Sequence, residues 1–286
     1  NSNHNGFKYG LTWMAYRPIH ETECCIGNLH RYMPNYVARM WLKDKKGHPV
    51  AALYGPSSVV YDLGEGVTVK IDEITQYPFE EQVKFKFTFF KDGKRSADSH
   101  QMDFTYRIPG WCKAAESGFH TESKEWKSGE VFTVRLPMQI EVVDAPVQGK
   151  CIQRGPIVYS YAIPANWVED TKIYDNLAGK VSANPEFKSW ELTPAGKWNY
   201  ALVENMLRGL RVQRTGNSGF PFDPESVPLK IRVPVKGVKD WTLKEDRFTP
   251  ALPETVVPES EQVEFIELVP YGSTTLRLTT FPTIKE

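Results

Sequence analysis

Val83-Lys84-Phe85-Lys86-Phe87-Thr88-Phe89 alternates strictly between apolar and polar residues. Successive side chains of a strand point to opposite faces. The run therefore predicts a half-buried β-strand with Val83, Phe85, Phe87 and Phe89 on the core face. Asp92-Gly93 then supplies a turn. The same texture extends upstream, where Val67-Thr68-Val69-Lys70-Ile71 alternates and Val50-Ala51-Ala52-Leu53-Tyr54 is an apolar run ended by Gly55-Pro56. Downstream, Phe104-Thr105-Tyr106-Arg107-Ile108 stops at Pro109-Gly110, and Val131 to Leu136 follows Ser128-Gly129. Short strands at this spacing, punctuated by turn residues, argue for a β-sandwich.

A second β-unit is expected from near Pro146, with strands at Ile157–Tyr161, Leu229–Val233, Val263–Val269 and Thr275–Thr279. Residues 166–199 and 216–227 read as loop-rich, and 247–261 as an exposed loop. The first segment differs. Leu29, Met33, Tyr36, Val37, Met40 and Trp41 recur at helical steps, but Pro34 interrupts them. The spacing predicts a turn and then a helix from about Pro34, because proline suits a first helical turn. The chain thus divides into a helical segment (1–45), a first β-sandwich (46–147) and a second (148–286).

Composition narrows the function. Lys plus Arg and Asp plus Glu both number 35, so there is no charge footprint for nucleic acid or an anionic membrane. The longest apolar runs are strand-sized, too short for a membrane span. Aromatics make up 13% of the chain, enough to line sugar-binding surfaces and equally at home in sandwich cores. The four cysteines, Cys24, Cys25, Cys112 and Cys151, are too few for a disulfide scaffold. Adjacent cysteines bond to each other only through a strained ring, so Cys24 and Cys25 read as thiols or metal ligands. Cys112 and Cys151 read as isolated thiols.

His20-Glu21-Thr22-Glu23-Cys24-Cys25-Ile26-Gly27-Asn28 is the densest group of ligand-type residues in the chain. A thiolate is both a nucleophile and a zinc ligand. Consecutive side chains diverge, so this segment alone cannot complete a tetrahedral zinc shell. The plainer alternative is two buried apolar thiols at a helix start. His20 and His30 read as structural histidines or as sugar or metal contacts. Trp13, Tyr16 and Arg17 read as core packing or pocket lining, and Trp111 as packing between strands. Lys124–Lys127 reads as a mixed-charge run on a loop.

Glu23-Cys24-Cys25-Ile26-Gly27-Asn28 with its following helix resembles the active-site cysteine motif of glycoside hydrolase family 127, the β-L-arabinofuranosidase family. Further markers follow in family order: Leu53-Tyr54-Gly55-Pro56-Ser57, Tyr77-Pro78-Phe79, Arg107-Ile108-Pro109-Gly110-Trp111 and Leu136-Pro137-Met138. Arg154-Gly155-Pro156-Ile157-Val158-Tyr159, Trp198-Asn199-Tyr200-Ala201-Leu202 and Leu268-Val269-Pro270-Tyr271-Gly272 complete them. One departure is Ile26-Gly27-Asn28, where the family often has Pro-Pro-Asn. The resemblance implies a mainly β chain: two β-sandwich domains preceded by the last helical segment of an (α/α)6 barrel. It implies that Cys24 is the nucleophile of a retaining glycosidase and also touches zinc, and that Cys25 is a zinc ligand. The remaining ligands and the acid/base carboxylate would lie upstream, in a barrel missing from this chain. The partners implied are a glycan substrate and that barrel. The alternative is a non-catalytic carbohydrate-binding or structural β-sandwich module.

Overall fold

The computed structural model describes residues 2–3, 15–16, 24–169, 190–217, 219–246 and 248–285. His20, Glu21, Glu23, Trp13 and Arg17 lie outside them. Two compact units emerge. One is 27–139; the other joins the described residues before Gly27 to 140–285. No helix among the described residues is long and apolar enough to cross a membrane. The chain is mainly β, as expected.

The 27–139 unit faces two sheets against each other. In one, Val131–Arg135, Gln82–Lys91, Val67–Thr75 and Ser57–Gly64 lie side by side, with Lys94–Arg95 paired to Gln82–Lys91. The other runs Gly118–Lys127, Ser99–Ile108, Pro49–Ala51 and Trp41–Lys43. The alternation at 83–89 behaves as the sequence predicts: Val83, Phe85, Phe87 and Phe89 are all fully buried. Phe85 and Phe87 meet Phe104 of the facing sheet edge-on at 4.9 and 5.1 Å. Trp126 lies 4.3 Å from Phe87 and donates its indole N–H to the Met102 carbonyl at 2.9 Å, so the polar end of this buried ring is satisfied. Cys112 is a free thiol buried in the same core.

The other unit is built on a nine-stranded sheet. Its path is Ile140–Asp144, Lys150–Arg154, Ile157–Ala162, Glu264–Pro270, Leu229–Gly237, Tyr200–Val203 and Thr283–Ile284. Val212–Arg214 and Arg277–Leu278 pair off this path. Ile152, Tyr159, Leu202, Ile231, Val233, Val235, Leu268 and Phe281 are among its fully buried residues. A four-stranded sheet, Ser2–Asn3, Ala15–Tyr16, Trp190–Pro194 and Ala165–Glu169, belongs to the same unit. Cys151 is a free thiol 3.6 Å from the Thr280 hydroxyl.

Several expectations are corrected. The helix runs Cys24–Ala38 and holds Pro34 in its interior. Proline lacks the N–H that would bond the carbonyl four residues back, and the helix ends one turn later. Arg39 closes that end by donating to the Asn35 side chain at 2.5 Å and to the Asn35 carbonyl at 3.3 Å. Within the loop-rich run 166–199, Ala165–Glu169 and Trp190–Pro194 pair as strands. Lys124–Lys127 is the end of strand Gly118–Lys127 rather than a loop. That strand is a sheet edge with mostly solvated side chains, so it lacks the apolar alternation of its neighbours. Of Thr275–Thr279, only Arg277–Leu278 is a strand.

Phe85→Ala is expected to lower unfolding stability by about 3–5 kcal/mol, because it empties a site walled by Phe104, Trp41 and Tyr54. Val60, 62% exposed, is the control, and Val60→Ala is expected to move stability by no more than about 0.5 kcal/mol. Urea denaturation of both variants checks this; equal losses would refute the core assignment.

Candidate functional site

Cys24 and Cys25 are the first two residues of the helix. Their side chains lie outside what the structure describes, as does that of His30. The described helix residues Arg31 to Arg39 are exposed, and the helix is tied to the 27–139 unit at its C-terminal end, which sits in a defined seat. The Tyr36 hydroxyl donates to the Tyr54 carbonyl at 3.0 Å. The Met40 carbonyl accepts the amides of Ala52 and Leu53 at 2.9 and 3.3 Å. Met40 is buried against Gly55, where an added Cβ would lie 3.2 Å from the methionine methyl. Glycine therefore keeps the closest approach open. This explains why strand Pro49–Ala51 stops short of the full apolar run: residues 52–55 leave the sheet to receive the helix end.

Three sequence markers far apart in the chain meet at this seat. The Tyr54 hydroxyl donates to the Arg107 carbonyl and accepts the Arg107 amide at 3.1 Å. Tyr54 packs edge-on against Tyr77 at 5.7 Å, and Tyr77 stacks with Trp111 at 6.5 Å. The Tyr77-Pro78 bond is cis. Burial pushes the Tyr54 phenol far above its ordinary range, so it stays protonated and able to donate.

A buried carboxylate lies under the same seat. Glu73 is 3% exposed. It accepts the Gly55 amide at 2.9 Å and the Ser57 hydroxyl at 3.2 Å, while the Trp41 indole N–H donates to that same hydroxyl at 3.0 Å. Desolvation raises its pKa to about 7, against the lowering effect of the Gly55 and Ser57 hydrogen bonds. Reading the sequence for chemistry missed Glu73. The signal was present, however, since Val69, Ile71 and Glu73 occupy alternate inward positions of one strand.

Among the described residues, one group of ligand-type side chains is close enough to hold an ion. The ligand atoms of Asp44, His48 and Asp103 lie within 4.8 Å of one another. Their carboxylates are already engaged. Asp44 accepts the amides of Lys46 and His48 at 2.8 Å, and Asp103 takes the Ser123 hydroxyl at 2.6 Å and the Lys46 ammonium at 2.9 Å. The Ser123 and Lys46 contacts hold Asp103 down at about 2. The cluster reads as a tie between the turn at 44–48 and strand Ser99–Ile108.

Residues 50–138 match the family model described as "Beta-L-arabinofuranosidase, GH127 middle domain". This segment is similar to a GH127 middle domain. The match spans the whole helix seat, from Val50 through the Leu53–Ser57, Tyr77–Phe79 and Arg107–Trp111 markers. Solved structures share the fold at low sequence identity. A GH127 β-L-arabinofuranosidase from Geobacillus stearothermophilus T6 is 18% identical with a TM-score of 0.57, over 92% of this chain and 37% of that one. A structure described as a glycoside hydrolase gives 16% and 0.58, over 92% and 40%. The GH127 β-arabinofuranosidase BT3674 gives 13% and 0.59, over 94% and 41%. The chain thus spans about two fifths of the length of these proteins. Among curated proteins, none matches the sequence.

Glu73 sets a pH signature for the middle domain. Its folded-state pKa is raised, so folding takes up a proton between about 4.5 and about 7. Stability is therefore greatest below the lower value, falls as pH rises through that window and levels off above it, by a total on the order of 3 kcal/mol. Glu73→Gln is expected to flatten that slope in thermal melts across pH 4 to 8. An unchanged slope in the variant would show that another group carries it.

Proposed function

We propose that this chain is the C-terminal part of a retaining glycosidase that uses Cys24 as its nucleophile, acting on β-L-arabinofuranosyl or related linkages of plant glycans. One observation carries the reading. The segment that matches the GH127 middle domain builds three of its family-like markers into a seat for the end of the helix that begins at Cys24-Cys25. A non-catalytic module has no evident need to hold a cysteine-bearing helix in this way.

The position of the pair suits its chemistry. The first turn of a helix presents unpaired N–H groups and the positive end of the macrodipole, which favour a thiolate over a thiol. In the proposed reaction the Cys24 sulfur bonds to the anomeric carbon as the glycosidic C–O bond breaks. The departing oxygen takes a proton from a carboxylic acid upstream of this chain. Water then displaces the sulfur, giving the free sugar and regenerating the thiolate. Cys24 stands where an ordinary retaining enzyme has its second carboxylate.

Zinc belongs to the same proposal. Cys24 and Cys25 would hold it, and a bound zinc ion keeps a coordinating thiol deprotonated at neutral pH. Two thiolates are half of a tetrahedral shell, so the other ligands come from the upstream barrel. The exposed apolar side chains on the helix, Tyr32, Met33 and Val37, support further chain packing there.

The test uses this chain and a longer one that restores the barrel. The 286-residue chain is expected to show no turnover of an aryl β-L-arabinofuranoside and no stoichiometric zinc by metal analysis. The longer protein is expected to bind zinc, to hydrolyse the substrate, to lose activity by at least about a thousand-fold in Cys24→Ala, and to be alkylated at Cys24 by a sugar-directed electrophile. Full activity in Cys24→Ala would overturn the nucleophile. One zinc per chain in the 286-residue protein, surviving mild chelation, would overturn the divided metal shell.

A further inference from the structure

The marker Trp198-Asn199 has no part in the helix seat, and it lines a cavity elsewhere. The cavity lies wholly within the unit of the nine-stranded sheet and has a volume of about 410 Å³. It opens where the chain crosses from strand Trp190–Pro194 to strand Tyr200–Val203, opposite the loop that follows Leu229–Gly237. Thr193, Trp198, Asn199, Trp241, Thr242 and Asp246 are among its walls. We propose that this cavity is a glycan-binding subsite, separate from the cysteine helix, that holds a neutral sugar unit of the substrate polymer.

Its chemistry fits a sugar. The half-buried Trp198 supplies an indole, and Trp241 backs it edge-on at 4.9 Å. An indole face takes the C–H face of a pyranose or furanose ring. The amide of Asn199 has both N–H donors engaged internally, to the Val238 carbonyl at 2.6 Å and to Glu259 at 2.8 Å. Its oxygen remains as an acceptor for a sugar hydroxyl. Thr193 and Thr242 add hydroxyls and Asp246 a carboxylate. No Lys or Arg is among the described lining residues, and the neighbouring Lys197 is tied to Glu259 at 3.0 Å and Glu264 at 2.7 Å. Among the described residues, an anionic ligand would meet the Asp246 carboxylate with no lining counter-charge. A quaternary ammonium needs several open aromatic faces, whereas Trp241 is 6% exposed and offers little of its own. The volume is near the low end for small-ligand sites, matching about one or two sugar residues.

The walls are also held in place. The Trp241 indole N–H donates to the Ala251 carbonyl at 2.9 Å. Lys244 and Phe248 exchange backbone hydrogen bonds at 3.0 and 2.9 Å, which closes the loop bearing Asp246. A subsite fixed before the ligand arrives loses less entropy on binding.

The choice of a glycan rests on the glycosidase reading; the cavity does not. The experiment titrates the 286-residue chain with neutral arabino- and galacto-oligosaccharides, followed by tryptophan fluorescence and calorimetry. Saturable binding is expected, weakened at least about ten-fold by Trp198→Ala and less by Trp198→Phe. Thr242 is exposed, so Thr242→Trp leaves the fold intact while blocking the cavity, and is expected to abolish binding. Cys24→Ala is expected to leave binding unchanged. The inference is overturned if no neutral oligosaccharide binds, if binding ignores Thr242→Trp, or if choline binds and sugars do not. Cys24-dependent hydrolysis by the longer, barrel-restored protein without binding here defeats this inference alone, and binding here with no such hydrolysis by the longer protein defeats the glycosidase reading alone.

Discussion

The hydroxyl and carbonyl of Tyr54 hold together the part of the molecule on which everything else is arranged. The hydroxyl both gives and takes a hydrogen bond with the backbone of Arg107, and the carbonyl of the same residue receives Tyr36 from the helix. One residue thus joins a departing strand, the end of a central strand and the helix that starts at Cys24. The ring is buried in an aromatic cluster with Tyr77 and Phe85, so water does not compete for these bonds. The nucleophile proposed for this helix would need support of this kind, because it would have to sit within a fraction of an ångström of an anomeric carbon.

Burying Glu73 beneath that seat runs against the general preference for apolar cores. Its carboxyl is stable there because the Gly55 amide and the Ser57 hydroxyl satisfy it, and because it is easily protonated. The arrangement links the turn at Gly55–Ser57 to strand Val67–Thr75, so the segment that receives the helix is pinned from below as well as from the side. The same Glu73 charge also raises the pKa of Tyr36, after burial, which places both groups in one electrostatic neighbourhood.

Much of this was legible in the sequence where a single physical rule dominates. The strands carrying Val69, Ile71, Phe85 and Phe87 have one wet face and one dry face, so alternation reports them directly. Strand Gly118–Lys127 was not legible because it lies at a sheet edge, and only Trp126 of its ten residues is buried. The helix was legible in kind but not in extent, because Pro34 is tolerated inside it against its usual preference. The helix seat was visible only as separate short markers. Their convergence depends on strand pairings between residues fifty positions apart, which no local pattern encodes. The cavity was hidden for the same reason: Trp198 and Trp241 belong to different loops. The thiols at the helix start were found by motif, and their surroundings lie outside the described residues.

The pairing of Tyr16 with Trp190 has a consequence for the order in which the molecule can be made. The unit at 27–139 is continuous and can complete itself as soon as it leaves the ribosome. The strand Ala15–Tyr16 has to wait for Trp190–Glu191, at least roughly 10 s at ordinary rates of chain growth. Through that interval an early segment has one edge unpaired and exposed to the same segment on neighbouring nascent chains. Slowing synthesis lengthens that exposure. Yield of the soluble protein should therefore depend on elongation rate and on holding chaperones more than its final stability would suggest.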